Sequence, residues 1–163
     1  MSLLVRKIDK AKWLQNDIVR GEDISADAIT NCMKTYRNTL SAWQIDNDAE
    51  IDDAVLAIVS SHQHLDTIDI VCISKDRLDQ NGINMKSTPG RTPVEDLTNK
   101  HIDIANLTYK TLGDVAYHIV KAFCEQNVKR YTRGSLKKLL KEAINSGRLD
   151  IANLEPSVSI KLK

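Results

Sequence analysis

The fold of this chain is decided by residues 39–74, which read TLSAWQIDNDAEIDDAVLAIVSSHQHLDTIDIVCIS. The middle of this stretch predicts an amphipathic α-helix, because its apolar residues recur at spacings of three and four positions. These residues are Ile51, Ala54, Val55, Ile58 and Val59. Residues 39–46 and 67–74 predict strands on either side, so the stretch reads as a strand–helix–strand unit.

The second strand of this unit is rich in β-branched residues between Ile68 and Ile73. Such a run is typical of a strand that is buried on both faces, as parallel strands are. Two strands joined by one helix predict a parallel pair with a right-handed crossover. We therefore expect an α/β or α+β fold, with a small mixed sheet of three or four strands that contains this βαβ unit.

The whole chain, residues 1–163, is expected to form a single domain, because it is long enough to bury a core without disulfides or metals. Residues 1–74 are its α/β part, residues 75–92 are a polar loop, and residues 93–163 are mainly helical. Homo-oligomerisation through the helical part stays open.

The mainly helical part begins with a clear local signal. Thr92 and Glu95 have the spacing of a capping box, and Pro93 stands at the first helical position. They predict a helix that continues toward Gln126. One unbroken helix of that length would exceed what a domain of this size needs, so we expect a break near residues 110–114.

Other local patterns place the remaining elements. Residues 3–8 predict a short strand at an edge of the sheet, and Ser25 is the predicted N-cap of a short helix. Ser135 begins the last predicted helix, and Gly147 stands where a glycine commonly ends one. Residues 157–163 alternate in polarity and predict a further edge strand.

The cysteines bear on the cellular location. Cys32, Cys72 and Cys124 are odd in number, widely spaced and set among apolar residues, as expected of reduced core thiols in a cytoplasmic protein. The N-terminal residues lack the charge order of a signal peptide, and no segment has the roughly 18 apolar residues of a transmembrane helix. We therefore expect a cytoplasmic protein with no membrane contact.

The net charge of +1 hides an asymmetry along the chain. Residues 1–80 carry 9 basic and 14 acidic side chains, whereas residues 81–163 carry 14 basic and 8 acidic ones. Concentrated surface charge speeds the capture of an oppositely charged partner. This polarity is the feature of the composition that says most about function.

The acidic half predicts a contact patch for a basic protein partner. Its residues are Asp46, Asp48, Glu50 and Asp53. The alternatives are that these carboxylates only stabilise the positive end of the helix dipole, or that they hold a metal. If these residues form a contact patch, the protein is a non-enzymatic interaction module, such as a bacterial immunity or antitoxin-type protein or an accessory subunit of a defence cassette.

The basic half predicts an alternative function, the binding of nucleic-acid phosphates. The residues proposed for it are Lys129, Arg130, Arg133, Lys137, Lys138 and Lys141. The scarcity of aromatic residues argues against stacking on single strands. A solvated helix face, with its charges balanced by the acidic half, explains the same residues without any function.

Catalytic and cofactor motifs are missing from the sequence, which has no phosphate-binding glycine loop, nucleophile elbow, H-E-x-x-H or C-x-x-C. We therefore expect no cofactor. His62 and His64, with Asp66, are weak candidates for a metal site or a dispersed active site. The C-terminus of a helix also favours histidine, so an enzyme is the third hypothesis.

Overall fold

The structure is a computed structural model that describes residues 2–13 and 24–162. Its strands are β1 (Leu3–Ile8), β2 (Leu40–Ile45), β3 (Ile68–Ser74), β4 (Met85–Ser87), β5 (His101–Ile104) and β6 (Val128–Tyr131). They form one sheet in the order β4-β5-β2-β1-β3-β6. Every neighbouring pair of strands is antiparallel.

Helices connect these strands. The α-helices are α1 (Lys10–Trp13), α2 (Ala26–Cys32), α3 (Ile51–Ser60), α4 (Lys75–Gln80), α5 (Tyr109–Cys124), α6 (Arg133–Asn145) and α7 (Pro156–Ser159). Short 3-10 turns lie at Asp48–Glu50, Glu95–Lys100, Ile151–Asn153 and Ile160–Leu162. In the described ranges, no helix has the length and apolar character needed to cross a membrane.

The sheet is covered on both faces, which makes the fold a three-layer α/β/α arrangement. One core lies between the sheet and helices α3 and α6, and it contains Val5, Trp43 and Ile70. The other core lies between the opposite face and helices α1, α2, α4 and α5, and it contains Leu4 and Val71. Neighbouring residues enter different cores because side chains alternate across a strand.

The strand–helix–strand prediction is confirmed for its elements, which are β2, α3 and β3. All seven residues of β3 are buried, as its composition indicates. The predicted parallel pairing is wrong, because β1 lies between β2 and β3 and pairs antiparallel with both. The two strands of the unit thus run in the same direction, but they are not neighbours.

Three further predictions about the sheet are wrong. It has six strands instead of three or four, its pairings are all antiparallel instead of mixed, and β1 is central instead of an edge. The predicted loop 75–92 contains α4 and β4, and the mainly helical part contains β5 and β6. These short strands were missed because four residues or fewer give too little periodicity to read.

The predicted start of the long helix is also corrected. Residues 95–100 form a 3-10 turn, and the Thr92 hydroxyl contacts Ser60 at 3.1 Å instead of capping a helix. The capping box that is formed joins Thr108 and Thr111 at the start of α5. The predicted break near residues 110–114 therefore lies earlier, where β5 and the turn after it separate the two segments.

The ends of the other helices match the sequence signals in part. Ser25 precedes α2, but its side chain makes no capping hydrogen bond. Thr132 caps α6 by accepting from the backbone N–H of Ser135, and Gly147 follows with a positive φ of 74°. Residues 156–162 are helical turns, so the predicted edge strand is wrong there; Pro156 suits the first turn of a helix.

A buried carboxylate on β3 binds β6, the strand at one edge of the sheet. Asp69 lies on β3, and its cross-strand neighbour on β6 is Arg130. The Arg130 guanidinium donates from Nε and Nη2 to the two carboxylate oxygens, at 2.8 and 3.0 Å. Such a bidentate pair fixes geometry as well as energy.

Gly90 and Gly113 allow a test of packing against this sheet. A Cβ on Gly90 would stand 2.4 Å from Trp43 Cη2 and 2.8 Å from His101 Cβ, whereas a Cβ on Gly113 meets nothing within 4 Å beyond its own helix. We expect Gly90→Ala to lower the free energy of unfolding by about 1–3 kcal/mol through overpacking. Gly113→Ala should raise it by up to about 1 kcal/mol, because alanine favours a helix.

Urea denaturation of the two variants beside the wild type measures both effects. Equal unfolding midpoints for the two variants would contradict the close packing of the 88–92 loop on Trp43.

Candidate functional site

The four residues of the predicted acidic patch lie together at the start of α3, but three of them already have partners. Lys100 is 3.5 Å from Asp46 and 3.2 Å from Glu50. Arg148 donates to Asp53 at 2.8 Å. Asp48 makes no ion pair within the described ranges. Cations from the C-terminal half therefore neutralise part of the patch.

Glu50 has a structural role at the start of this helical segment. Its carboxylate accepts from the Asn47 side chain at 2.9 Å and from the Asp46 backbone at 3.3 Å. The hydrogen bond to Glu50 raises the pKa of Lys100. A hydrogen bond from Gln44, followed by the charge of Lys100, lowers the pKa of Asp46. Glu50 is therefore less available to a partner than its sequence position suggests.

The fold adds further carboxylates to the same region. Arg148 also donates to Asp96 at 2.7 Å, and Glu95 and Asp150 line the same hollow as this pair. Asp52 lies beside Asp53 and accepts from the Tyr131 hydroxyl at 2.6 Å. We define the acidic surface as eight carboxylates of these segments: Asp46, Asp48, Glu50, Asp52, Asp53, Glu95, Asp96 and Asp150. Four of them contact Lys100 or Arg148, and the other four leave the surface negative.

Three of the six predicted nucleic-acid-binding residues form ion pairs with carboxylates. Arg130 is held by Asp69, and Arg133 is 3.1 Å from Asp66. Lys138 lies 3.8 Å from Glu142 on the same helix. The others, Lys129, Lys137 and Lys141, make no ion pair with the described residues. Acidic residues therefore balance three of these six cations, which is consistent with the alternative that the segment is a solvated helix face.

The histidine candidates are not brought together as a site. Asp66 is engaged by Arg133, and His64 is exposed. Over residues 2–13 and 24–162, no group of three histidine, cysteine, aspartate or glutamate residues is placed to hold a metal ion. Of the three candidates, only His62 lines a cavity, together with Lys7.

The cysteine prediction holds for two of three residues. Cys32 and Cys72 are buried, but Cys124 is exposed at the end of α5, so its assignment to the core is wrong. Burial raises the pKa of Cys72 to about 11. Its thiol is therefore protonated at neutral pH and a poor nucleophile.

A polar cleft lies where β1 and β2 separate. The two strands pair only from Leu3 to Val5; beyond that point β1 pairs with β3 alone and β2 with β5. Arg6 crosses the gap, because its Nε and Nη2 donate to the Cys32 carbonyl at 3.2 and 2.7 Å, and its Nη1 donates to the Ser41 carbonyl. Its side chain thus satisfies backbone carbonyls at the separation.

The polar cleft has two adjoining hollows of about 550 and 560 Å³. Both are lined by Arg6, Ser41, Trp43 and Ser61. The first hollow adds Lys7, Asp9, Asn31 and His62. The second adds Lys34, Arg91, His101 and Asp103. We use the name polar cleft for both hollows together.

Hydrogen bonds fix the floor of the second hollow. The Thr88 hydroxyl donates to Asp103 Oδ2 at 2.9 Å and lies 2.9 Å from His101 Nδ1. Since its single proton goes to the carboxylate, the hydroxyl accepts from His101, whose Nδ1 is therefore protonated. The imidazole edge also packs against the Trp43 ring, with ring centroids 5.2 Å apart.

The polar cleft was not predicted from the sequence. Its cations come from β1, from the segment after α2 and from the loop before residue 95, so no local motif contains them. The one local signal is the pair Arg6–Lys7 within an otherwise apolar strand, LLVRKI. Two adjacent cations in a central strand indicate that the strand meets something polar there.

No protein-family model, no curated protein and no solved structure matches this chain. Three charged features of the described residues remain as candidates for binding: the acidic surface, the basic residues of α6 and the polar cleft.

The electrostatics of His62 predict a pH effect on stability. Burial, and then the charge of Lys7, lowers the pKa of His62 to about 4. An unfolded histidine titrates near pH 6.5, so between about pH 6.5 and 4 the unfolded state binds a proton that the folded state does not. The contribution of neutral His62 to stability is complete above pH 6.5 and is lost as the pH falls toward 4.

We expect His62→Gln to lose less stability than the wild type between pH 7 and pH 4, as measured by urea denaturation across that range. His64→Gln, at an exposed position, is the matched control and should follow the wild type. Burial also lowers the pKa of His118, but that residue is common to all three proteins and cancels. Parallel curves for His62→Gln and the wild type would rule out the depressed pKa.

Proposed function

We propose that this protein is a non-enzymatic interaction module that presents the acidic surface to a basic protein partner. The observation that supports the proposal is the convergence of carboxylates from three parts of the chain, 46–53, 95–96 and 150, around Lys100 and Arg148. Like charges brought together repel one another. Such a concentration of charge suits long-range steering of an oppositely charged partner.

Within this class we propose an immunity or antitoxin-type protein, or an accessory subunit of a defence cassette, that acts in the cytoplasm. A protein of this kind must capture its partner quickly and specifically. Electrostatic steering provides speed, because complementary charge raises association rates well above those of neutral surfaces.

The structure selects which carboxylates to change. Glu50 holds Lys100 and the Asn47 turn, and Asp53 holds Arg148, so reversing them would disturb the fold as well as the surface. Asp48 and Glu95 are exposed and make no ion pair with the described residues. Asp79, exposed on α4 behind the opposite face of the sheet, provides a control for the reversal of a carboxylate outside the acidic surface.

The test compares capture from a lysate of the native host by three tagged proteins: wild type, Asp48→Lys with Glu95→Lys, and Asp79→Lys. We expect the wild type and Asp79→Lys to retain one protein in stoichiometric amount and the double variant to lose it. Association of the purified pair should slow by at least about tenfold in the double variant at low salt, since rim charges act mainly on the on-rate. Equal capture by all three proteins, or no stoichiometric partner, would refute the proposal.

A second candidate function is nucleic-acid binding by α6. The observation that favours it is the spacing of Arg133, Lys137 and Lys141, which are four residues apart and share one side of the helix. Lys137 and Lys141 have no carboxylate partner in the described ranges. Three such cations could contact successive phosphates.

Binding of a labelled DNA duplex should then weaken steeply with salt. Three phosphate contacts predict a slope of about −2.7 for log affinity against log salt concentration. Lys137→Gln with Lys141→Gln should flatten this slope, whereas Lys138→Gln should leave it nearly unchanged, because Lys138 is near Glu142. The absence of binding at low salt, or an equal effect of both variants, would exclude this function.

A further inference from the structure

We propose that the polar cleft binds the phosphate groups of a small phosphorylated molecule. Four cationic side chains line it: Arg6, Lys7, Lys34 and Arg91. None of the four is in an ion pair with a described carboxylate. By contrast, the arginines at positions 77, 130, 133 and 148 each contact a carboxylate.

Arg6 is the centre of the proposed site. It is half-buried, and burial lowers its pKa, an effect that the nearby Cys32 partly offsets. A guanidinium removed from water without a counter-ion is costly, since its carbonyl partners are neutral. Three of its N–H groups bond to the Cys32 and Ser41 carbonyls, which leaves two of its five donors for an anion.

The remaining lining residues suit a phosphate. Asn31 provides a neutral hydrogen-bond donor, because only one of its two amide N–H groups is needed for its bond to the Asp27 carbonyl. The depressed pKa of His62 keeps its imidazole neutral at pH 7. Of the two carboxylates in the cleft, Asp103 is occupied by the Thr88 hydroxyl. The polar cleft thus has four cations and two carboxylates, and this excess of positive charge favours an anion.

The arrangement favours a ligand with more than one phosphate. Arg6 lies on the wall shared by both hollows, with Lys7 in the first and Lys34 and Arg91 in the second. Each hollow has a volume within the range of roughly 300–1,000 Å³ that small-molecule sites show. Arginine is the side chain best suited to phosphate oxygens, because its planar donors bind two of them at once.

This proposal is independent of the acidic surface. The two features share no residue, so Asp48→Lys with Glu95→Lys should bind the phosphorylated ligand as the wild type does. Failure of the proposed partner function would therefore leave the cleft proposal unaffected.

The test is isothermal titration calorimetry with sodium pyrophosphate and with ATP, both without divalent metal, against the full chain. We expect saturable binding of one equivalent of at least one of the two ligands. Lys34→Gln and Arg91→Gln should each weaken it by about tenfold or more, the loss of one charge-assisted hydrogen bond. Lys110→Gln removes the same charge from an exposed position on α5, outside the cleft, and should leave the affinity unchanged.

Lys34 and Arg91 are exposed and make no ion pair in the described ranges, so their variants should unfold at the wild-type temperature. Lys7→Gln, at another exposed position in the cleft, is a third variant of the same design. No saturable binding of either ligand would overturn the proposal. Equal weakening by Lys110→Gln would do so too, because it would show unspecific attraction. Full affinity in all three cleft variants would also overturn the proposal.

Discussion

The position of β1 between β2 and β3 is the constraint on which the rest of the structure depends. It separates the two strands of the 39–74 unit and contributes Leu4 to one core and Val5 to the other. β2 leaves β1 after Val5 while it continues to pair with β5 along its other edge, and the sheet opens there. The polar cleft and the cross-strand role of Arg6 both result from that separation, so the arrangement that completes the two cores also creates the cavity.

Folding redistributes the charge asymmetry of the chain. Lys100, Arg130, Arg133 and Arg148 come from the basic half, and each contacts a carboxylate of the acidic half. Exposed pairs of this kind contribute only about 0–1 kcal/mol each, so most of them orient side chains more than they hold the fold together. Among the described residues, unbalanced charge is concentrated at three places: negative around the start of α3, and positive along α6 and along the strand separation. The net charge of the whole chain, +1, reveals none of them.

Local patterns in the sequence were sufficient to predict some helices and strands but not others. The spacing of Ile51, Val55 and Ile58 predicts α3, and the apolar run of β3 predicts its burial, since both signals lie within a few residues. Strand neighbours depend on contacts between distant residues, such as Asp69 and Arg130, which no periodicity contains. The acidic residues of the predicted patch were found because they lie within eight positions of one another, between 46 and 53. The carboxylates at positions 95, 96 and 150 were missed because only folding brings them there. The polar cleft was missed for the same reason.

The position of β3 has a consequence for synthesis of the chain. Once Ser74 has been made, β1 can pair with one edge of β3, but the other edge waits for β6, which ends 57 residues later. At about 5–20 residues per second this interval lasts roughly 3–11 s. A seven-residue apolar strand with an open edge is a template for pairing with a neighbouring nascent chain. Asp69 places a charge near the start of that strand, where it opposes such pairing until Arg130 arrives and binds it.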